Sequence, residues 1–378
     1  MPIAVPQNQP PAVGINGFGR IGRALFRLSL QRTDITVVAV NHTALSLEHL
    51  LTAIRYDSTH GACATSIEIS IASPDDPRLL PATPTNPRPS GLLYRGHIIH
   101  LFSQRDPANI DWKSAGADYI MESTGKMTSR EKASVHLKQG AKKVIVSAPS
   151  GDVPNVVYGV NHLSGFSPQD DIISNASCTT NCLAPVALVL QRAFGIETGM
   201  MTTVHASTAS QKVLDGFSTK DIRSGRSAMG NIIPASTGAA QAVVKVLPEL
   251  KGKFHGISIR VPVTNVSLVD LTVTLSHPVA SKEDLIAPFR LAAARRPVRT
   301  PDSPSLQGND DSPALEGVLS VSDEKLVSSD YLSTRFSCII DVDATVMLNA
   351  TTAKIVAWYD NEYGFSSRSE LDPFVYQG

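Results

Sequence analysis

The apolar positions change period twice within the first forty residues. Ala12–Asn16 is a short continuous apolar run that ends at a glycine cluster, the pattern of a buried strand. The cluster, GFGRIG at residues 17–22, supplies a tight turn. Beyond it Ile21, Ala24, Leu25 and Leu28 fall at i, i+3, i+4 and i+7, one face of a helix. Arg20, Arg23 and Arg27 mark another face, expected to be solvated. TVVAVN at Thr36–Asn41 predicts a second strand, and further strands are expected over residues 118–124 and 142–147, with REKASVHLKQG as a helix between them. Strands alternating with helices predict βαβ units and a parallel sheet, a doubly wound domain.

From about Cys178 the pattern changes. One helix, NCLAPVALVLQRAF, is followed by long strands such as GISIRVPV and VSLVDLTVTL, where Leu271, Val273 and Leu275 alternate with polar neighbours. This predicts a mixed α+β domain. Two stretches rich in proline, residues 73–91 and 295–313, are expected to be exposed connections, and the lead over residues 1–11 is expected to be flexible.

A chain of 378 residues has material for two domains, or for three. Lys plus Arg and Asp plus Glu each number 34, so no global field draws the molecule to nucleic acid or to an anionic membrane, and neither partner is expected. Four cysteines in so long a chain do not make a disulfide framework, which fits a reducing compartment. The start lacks a basic cluster followed by an apolar segment, and no apolar run approaches the roughly 18 residues of a membrane helix. A cytoplasmic location is the expectation.

Two motifs carry chemistry. GFGRIG, between a strand and a helix, has the context of a dinucleotide fingerprint: its glycines let the backbone approach a pyrophosphate, whose charge meets helix N-terminal amides. The acid expected at the end of the second strand to take the ribose hydroxyls is missing, since Asn41, His42 and Thr43 stand there, and the sequence shows no nearby arginine in its place. In ASCTTNC, Cys178 sits where a strand-like segment, DIISN, meets a helix, a position whose dipole lowers a thiol pKa. A nucleophilic thiol needs a base, and His205, closing the apolar run GMMTTVH, is the candidate. Cys182, one turn on, reads as packing, and with no convergent histidine pair no metal site is expected.

NGFGRIGR, YDSTHG, RDPANI, ESTG, SNASCTTNC, TTVHA, NIIPASTGAA, RVP, VDLTV and WYDNEYG occur in that order, and with them the chain resembles glyceraldehyde-3-phosphate dehydrogenase from about Ala12 to the end. The resemblance implies an α/β fold with a doubly wound parallel-sheet (Rossmann) NAD-binding domain over residues 1–177 and 360–378, to which a C-terminal helix returns, and a catalytic domain over 178–359. It implies a phosphorylating aldehyde oxidation in glycolysis or gluconeogenesis: Cys178 forms a thiohemiacetal and then a thioester, His205 is the base, and inorganic phosphate releases an acyl phosphate. Thr208, Ser210 and Arg260 would line the substrate-phosphate side, and Ser177, Thr179, Thr237 and Gly238 the inorganic-phosphate side. Asn361 would hold the nicotinamide carboxamide. Gly17, Phe18, Gly19, Arg20, Ile21, Asn41, His42, Ser123, Thr124 and Ser147 would surround the rest of NAD. The family is a homotetramer acting on a triose phosphate, and both features are carried over as expectations. Erythrose-4-phosphate dehydrogenase shares much of this frame.

The departures from the family cluster. Besides His42 in place of the acid, they are Phe217, Ile222, Ser224, Met229 and Gly230 in one loop, Ser207 and Ser210 beside the histidine, and Phe365 for a tyrosine. Loss of the acid removes an acceptor for ribose and a charge that would repel a 2′-phosphate, which predicts weakened NAD discrimination. Altered edges around intact chemistry also suit an extra, inhibitor-tolerant copy of the enzyme. A non-catalytic NAD-scaffold regulator is the remaining alternative, against which Cys178, His205, Arg260 and Asn361 all stand.

Overall fold

The computed structural model describes residues 10–167, 169–219, 221–295 and 313–370. They form two compact units, one running to Val146 and taking in Asp170–Ile172, the other comprising Ser147–Gln169 and the chain from Ile173 on. Most of the proline-rich lead and of the second proline-rich stretch lies outside the described residues.

The first unit contains β1 (Ala12–Asn16), α1 (Arg20–Ser29), β2 (Thr36–Asn41), α2 (Leu47–Arg55), β3 (Ser70–Ile71), β4 (Ser90–Tyr94), β5 (His97–Phe102), β6 (Tyr119–Glu122), α3 (Arg130–Lys138) and β7 (Lys143–Val146). Its strands run in the order β3-β4-β5-β2-β1-β6-β7, with β5, β2, β1, β6 and β7 parallel. Parallel strands are covered on both faces, which is why β1 and β6 read as unbroken apolar runs. β4 and β5 pair antiparallel around Arg95 and Gly96, whose φ of 48° and 81° suit a tight hairpin turn. The pattern did not predict this hairpin, because its strands border a proline-rich segment.

Helix α1 buries Ala24, Leu25 and Leu28 as its stripe predicts. Its arginine face departs from the solvated reading. Arg27 is buried, with Nε donating to the Ile54 carbonyl at 2.8 Å and Nη2 to that of Gly61 at 2.9 Å, and Arg20 pairs with both carboxylate oxygens of Asp57. Carbonyls and a carboxylate take the place of water, which makes burial of these cations tolerable.

The second unit continues with β8 (Ile172–Ser174), whose first residue belongs to the first unit, then α4 (Cys178–Phe194), β9 (Ile196–His205), β10 (Ile233–Ser236), α5 (Ala239–Val246), β11 (Phe254–Arg260), β12 (Ser267–Leu275), α6 (Lys282–Ala294), β13 (Leu319–Ser322), β14 (Cys338–Asp341), β15 (Val346–Met347), β16 (Thr352–Tyr359) and α7 (Tyr363–Glu370). Its sheet runs β10-β11-β9-β12-β16-β14-β13 and is mixed, with β11 parallel to β9 and β12 antiparallel to both β9 and β16. Helix α4 is buried all round from Thr179 to Leu190, with Leu183, Val186 and Leu190 in one core with Met201, Leu271 and Ile355. Alternation in β12 sends Ser267, Val269, Leu271, Val273 and Leu275 to the buried face.

In the first unit a buried polar network ties the strand ends beneath the glycine turn. Trp112 Nε1 donates to His136 Nδ1 at 3.0 Å, which leaves the neutral ring's proton on Nε2, 3.0 Å from Glu122 Oε2. Glu122 also accepts from Asn16 Nδ2 at 2.6 Å and from the Thr124 amide at 2.8 Å. Asn16 Oδ1 in turn accepts from Asn41 Nδ2 at 2.7 Å, and Asn41 closes on Gln104 through both main-chain polar groups. A buried acceptor serving several donors is expensive to remove, because each donor then stays buried and unpaired. Glu122→Ala is therefore expected to cost about 3 kcal/mol in urea denaturation; a loss below about 1 kcal/mol would show that the network does not support the turn.

Candidate active site

Strand register assembles the reactive cluster. In the parallel pair of β11 and β9, Arg260 lies opposite His205, and in the antiparallel pair of β12 and β16, Ser267 lies opposite Tyr359. These four residues thus share one end of the second sheet. Cys178 reaches it from the first turn of α4, where Ser177 caps the helix by accepting from the Thr180 amide at 3.0 Å. The chain enters this turn through Ala176, held left-handed at φ 55°, with its amide donating to Ser174 Oγ at 3.0 Å. Asn181 Nδ2 clamps the same turn through the carbonyls of Asn175 and Ser177.

Cys178 Sγ lies 3.5 Å from His205 Nε2, within hydrogen-bonding reach for sulfur. On the other side of the ring, Nδ1 is 2.7 Å from the Ala206 carbonyl and 2.7 Å from Arg260 Nη1. These contacts favour opposite tautomers. A protonated Nδ1 donates to Ala206 and leaves Nε2 as the acceptor for the thiol; a bare Nδ1 accepts from Arg260 and puts the proton on Nε2. Tyr359 packs edge-on to the imidazole at 6.0 Å, its hydroxyl 2.9 Å from Thr179 Oγ1 and 2.8 Å from Thr203 Oγ1. One phenol thereby ties the first turn of α4 to the strand that carries His205. Ser267 Oγ accepts from the Ala206 amide at 3.0 Å and donates to Asn361 Oδ1 at 2.9 Å.

Burial pushes the Cys178 thiol up from its ordinary value, against the pull of Thr179 and Arg260. This corrects the expectation of a lowered thiol: the helix start does favour the thiolate, but loss of water outweighs it. Burial first, and then the adjacent Arg260 charge, push His205 down to about 4. Burial thus disfavours the charged form of each group, and Nε2 stands where it can accept the thiol proton.

The other expected phosphate ligands are placed unevenly. Arg260 lies inside the cluster. Thr208 and Ser210 share a hydroxyl contact of 3.1 Å on the loop after β9, with Ser210 exposed. Thr237 and exposed Gly238 precede α5, where Thr237 Oγ1 accepts from the Ala239 amide at 3.2 Å. The hydroxyls of Ser177 and Thr179 are engaged with Thr180 and Tyr359. Ser147 opens the second unit and is half-buried. Tyr359 and Ser267 went unnoticed in the sequence. The signal for Ser267 was available, as a polar residue in phase with the buried positions of β12.

In the first unit the glycine turn divides its labour. Gly17 is left-handed at φ 91°, with its amide donating to the Asn41 carbonyl at 3.1 Å. A Cβ on Gly22 would run into the Gly17 carbonyl, whereas one on Gly19, at the N-cap of α1, meets nothing within 4 Å. Gly22 serves packing, while Gly19 leaves open space at the start of α1. Ser123 Oγ donates to the carbonyls of Asn16 and Gly17 at 3.1 Å each, and Thr124 is held by Glu122. Phe18 packs edge-on to Phe26 at 5.5 Å, Ile21 is half-buried, and Arg20 is paired with Asp57. The amide of Asn41 is committed to Asn16 and Gln104. His42 lines a cavity at the end of β2, and so does Arg23. The sequence reading that no arginine stands near the missing acid is thus corrected: Arg23, one turn into α1, reaches the same cavity from a distant place in the chain.

A parallel sheet opening on a glycine turn, in a chain that also carries a thiol against an imidazole, suits an NAD-dependent dehydrogenase. Residues 11–73 match the NAD binding domain of glyceraldehyde 3-phosphate dehydrogenase and residues 177–361 its C-terminal domain. The cytosolic glyceraldehyde-3-phosphate dehydrogenase of Gracilaria gracilis is 46% identical over 358 residues, covering 95% of this chain and 96% of the relative. That of Chlamydomonas reinhardtii is 47% identical over 356 residues, 94% of each chain, and glyceraldehyde-3-phosphate dehydrogenase 2 of Schizosaccharomyces pombe is 47% identical over 358 residues, 95% of this chain and 96% of the relative. The chain belongs to the glyceraldehyde-3-phosphate dehydrogenase family.

The two glycines separate fold from binding. Gly22→Ala is expected to lose about 2 kcal/mol or more in urea denaturation through overpacking. Gly19→Ala should keep stability within about 0.5 kcal/mol yet weaken NAD binding about tenfold or more in calorimetry, because the methyl occupies the space of the pyrophosphate. Equal NAD affinity in Gly19→Ala and the unmodified protein would exclude this turn as the binding site.

Proposed function

We propose that this chain is a cytosolic, homotetrameric enzyme that oxidises D-glyceraldehyde 3-phosphate with NAD and inorganic phosphate to 1,3-bisphosphoglycerate through a thioester on Cys178. The observation that carries the reading is the 3.5 Å approach of Cys178 Sγ to His205 Nε2 in a frame fixed by strand register. Cys178 attacks the aldehyde carbon as its proton passes to Nε2; the C–S bond forms, and the former carbonyl oxygen takes up that proton to give a thiohemiacetal. NAD, when bound, supplies the acceptor for the hydride lost from that carbon. His205 removes the hydroxyl proton as the thioester forms. The Cys178 amide at the start of α4 and the His205 ring stabilise the oxyanion at each tetrahedral stage. A phosphate oxygen then attacks the thioester carbon, the C–S bond breaks, and the sulfur regains its proton from His205.

Arg260 serves two functions in this scheme. Its charge binds anionic oxygen, with Thr208 and Ser210 on the substrate-phosphate side and Thr237 and Gly238 on the inorganic-phosphate side. Its contact with His205 also depresses the base, so a bound anion that neutralises the guanidinium strengthens the base when a substrate is present. Asn361, with Oδ1 engaged by Ser267, turns its amide donor to the nicotinamide carboxamide. The tetramer is supported by the loop before β10, where Leu214, Phe217, Ile222, Met229 and Ile232 are all exposed. So many large apolar side chains in one stretch suit a surface that a second copy covers.

NADH formation from glyceraldehyde 3-phosphate should require inorganic phosphate and vanish in Cys178→Ser, and the purified protein should sediment at about four chain masses. His205→Asn should slow alkylation of Cys178 by iodoacetamide at pH 7 about tenfold or more. In the unmodified protein that rate should fall as pH drops through the depressed imidazole value, where His205 becomes protonated from solvent and no longer accepts the thiol proton. Phosphate-independent turnover, or alkylation indifferent to His205, would overturn the thiol–imidazole scheme.

A further inference from the structure

The cavity at the end of β2 has a volume of 330 Å³, and Phe18, Arg23, His42, Thr43, Leu45 and His49 line it. That lies at the lower end of ligand-pocket volumes and suits one nucleoside with a phosphate. Among the described residues no carboxylate lines it, and the polar groups are one guanidinium, two imidazoles and a hydroxyl. Asp57 is paired with Arg20, and Glu48 is exposed in the first turn of α2. His42 Nδ1 accepts from the Ala44 amide at 3.0 Å, so the neutral ring carries its proton on Nε2 and is a donor where the fingerprint calls for an acceptor. Burial holds that ring below the ordinary imidazole value, so it stays neutral and offers one donor.

In this fold class an acid at the end of the second strand selects the free 2′-hydroxyl of NAD, and an arginine nearby accommodates a 2′-phosphate. Here the acid is gone and Arg23 shares the cavity. We infer that this cavity accepts a ribose 2′-phosphate, with Arg23 and His42 as its partners, so that the chain binds NADP as well as NAD. The inference rests on the dinucleotide reading of the glycine turn, but not on the thiol chemistry.

Calorimetry on the full-length protein tests it with probes that lack nicotinamide: 5′-AMP, adenosine 2′,5′-bisphosphate and inorganic phosphate. The bisphosphate should bind at least as tightly as AMP. Arg23→Gln should weaken the bisphosphate about tenfold or more and AMP less than about twofold, and His42→Asp should reverse the preference towards AMP by a similar factor. A bisphosphate bound about tenfold more weakly than AMP by unmodified protein overturns the inference, as does an Arg23→Gln variant that weakens both alike. Inorganic phosphate binding as tightly as the bisphosphate would also overturn it, marking a general anion site. If melting curves show Arg23→Gln unfolded, His42→Asp alone decides. Failure of both adenosine ligands to bind would sink the nucleotide reading itself, whereas loss of the thiol chemistry would leave these affinities unchanged.

Discussion

The register of β9 is the constraint on which the reactive cluster depends. β9 is central in its sheet, fixed on one side by the parallel ladder to β11 and on the other by the antiparallel ladder to β12. Side chains alternate along a strand, so a slip of one residue would turn Thr203 and His205 from the buried face to the opposite one. It would also separate His205 from Arg260 and Thr203 from Tyr359. The apolar residues of β12, which alternate over nine positions, make such a slip costly far from the cluster. Core packing at Val269, Leu271 and Val273 therefore helps to fix where the imidazole stands.

Desolvation in the cluster acts against the chemistry as well as for it. It raises the thiol and lowers the imidazole, and so disfavours the charged pair at rest. A permanently ionised thiolate would be exposed to oxidants and stray electrophiles, whereas a neutral pair acquires charge when a reacting carbonyl can take it up. The two contacts at His205 Nδ1 serve the same economy. Ala206 holds the ring as an acceptor for the thiol proton, and Arg260 favours the other tautomer, so the ring can be biased by whatever engages the guanidinium.

Much of this was legible in the sequence because periodicity and motif context report local structure. β1 and β2 match their expected bounds, and α1, α3 and α4 lie where their patterns put them. Two misreadings share a physical origin. The arginine face of α1 looked solvated because a sequence shows charge but not the carbonyls of Ile54 and Gly61 that replace water around Arg27. No arginine adjoins His42 along the chain, whereas in the fold Arg23 reaches the same cavity from a helix that precedes β2. Tyr359 was invisible as a support because its partners are distant in sequence, whereas Ser267 stands in phase with the buried positions of β12. The lowered thiol was expected from the helix start alone, and the opposing burial could be known only once the core around α4 was formed.

Zero net charge means that every anion this protein recognises must be recognised locally. Arg260 and Arg23 then carry different constraints. Arg260 is tied to His205 and Ala206, and altering it alters the base. The adenosine end is less bound. Asn41 and His42 are adjacent, yet Asn41 is locked to Asn16 and Gln104 and through them to Glu122, His136 and Trp112, so replacing it disturbs three strand ends at once. His42 is anchored to the amide of Ala44, a contact within its own loop. A family member can therefore exchange the residue at position 42, and with it the charge offered to the ribose, while the strands beneath and the thiol cluster keep their geometry.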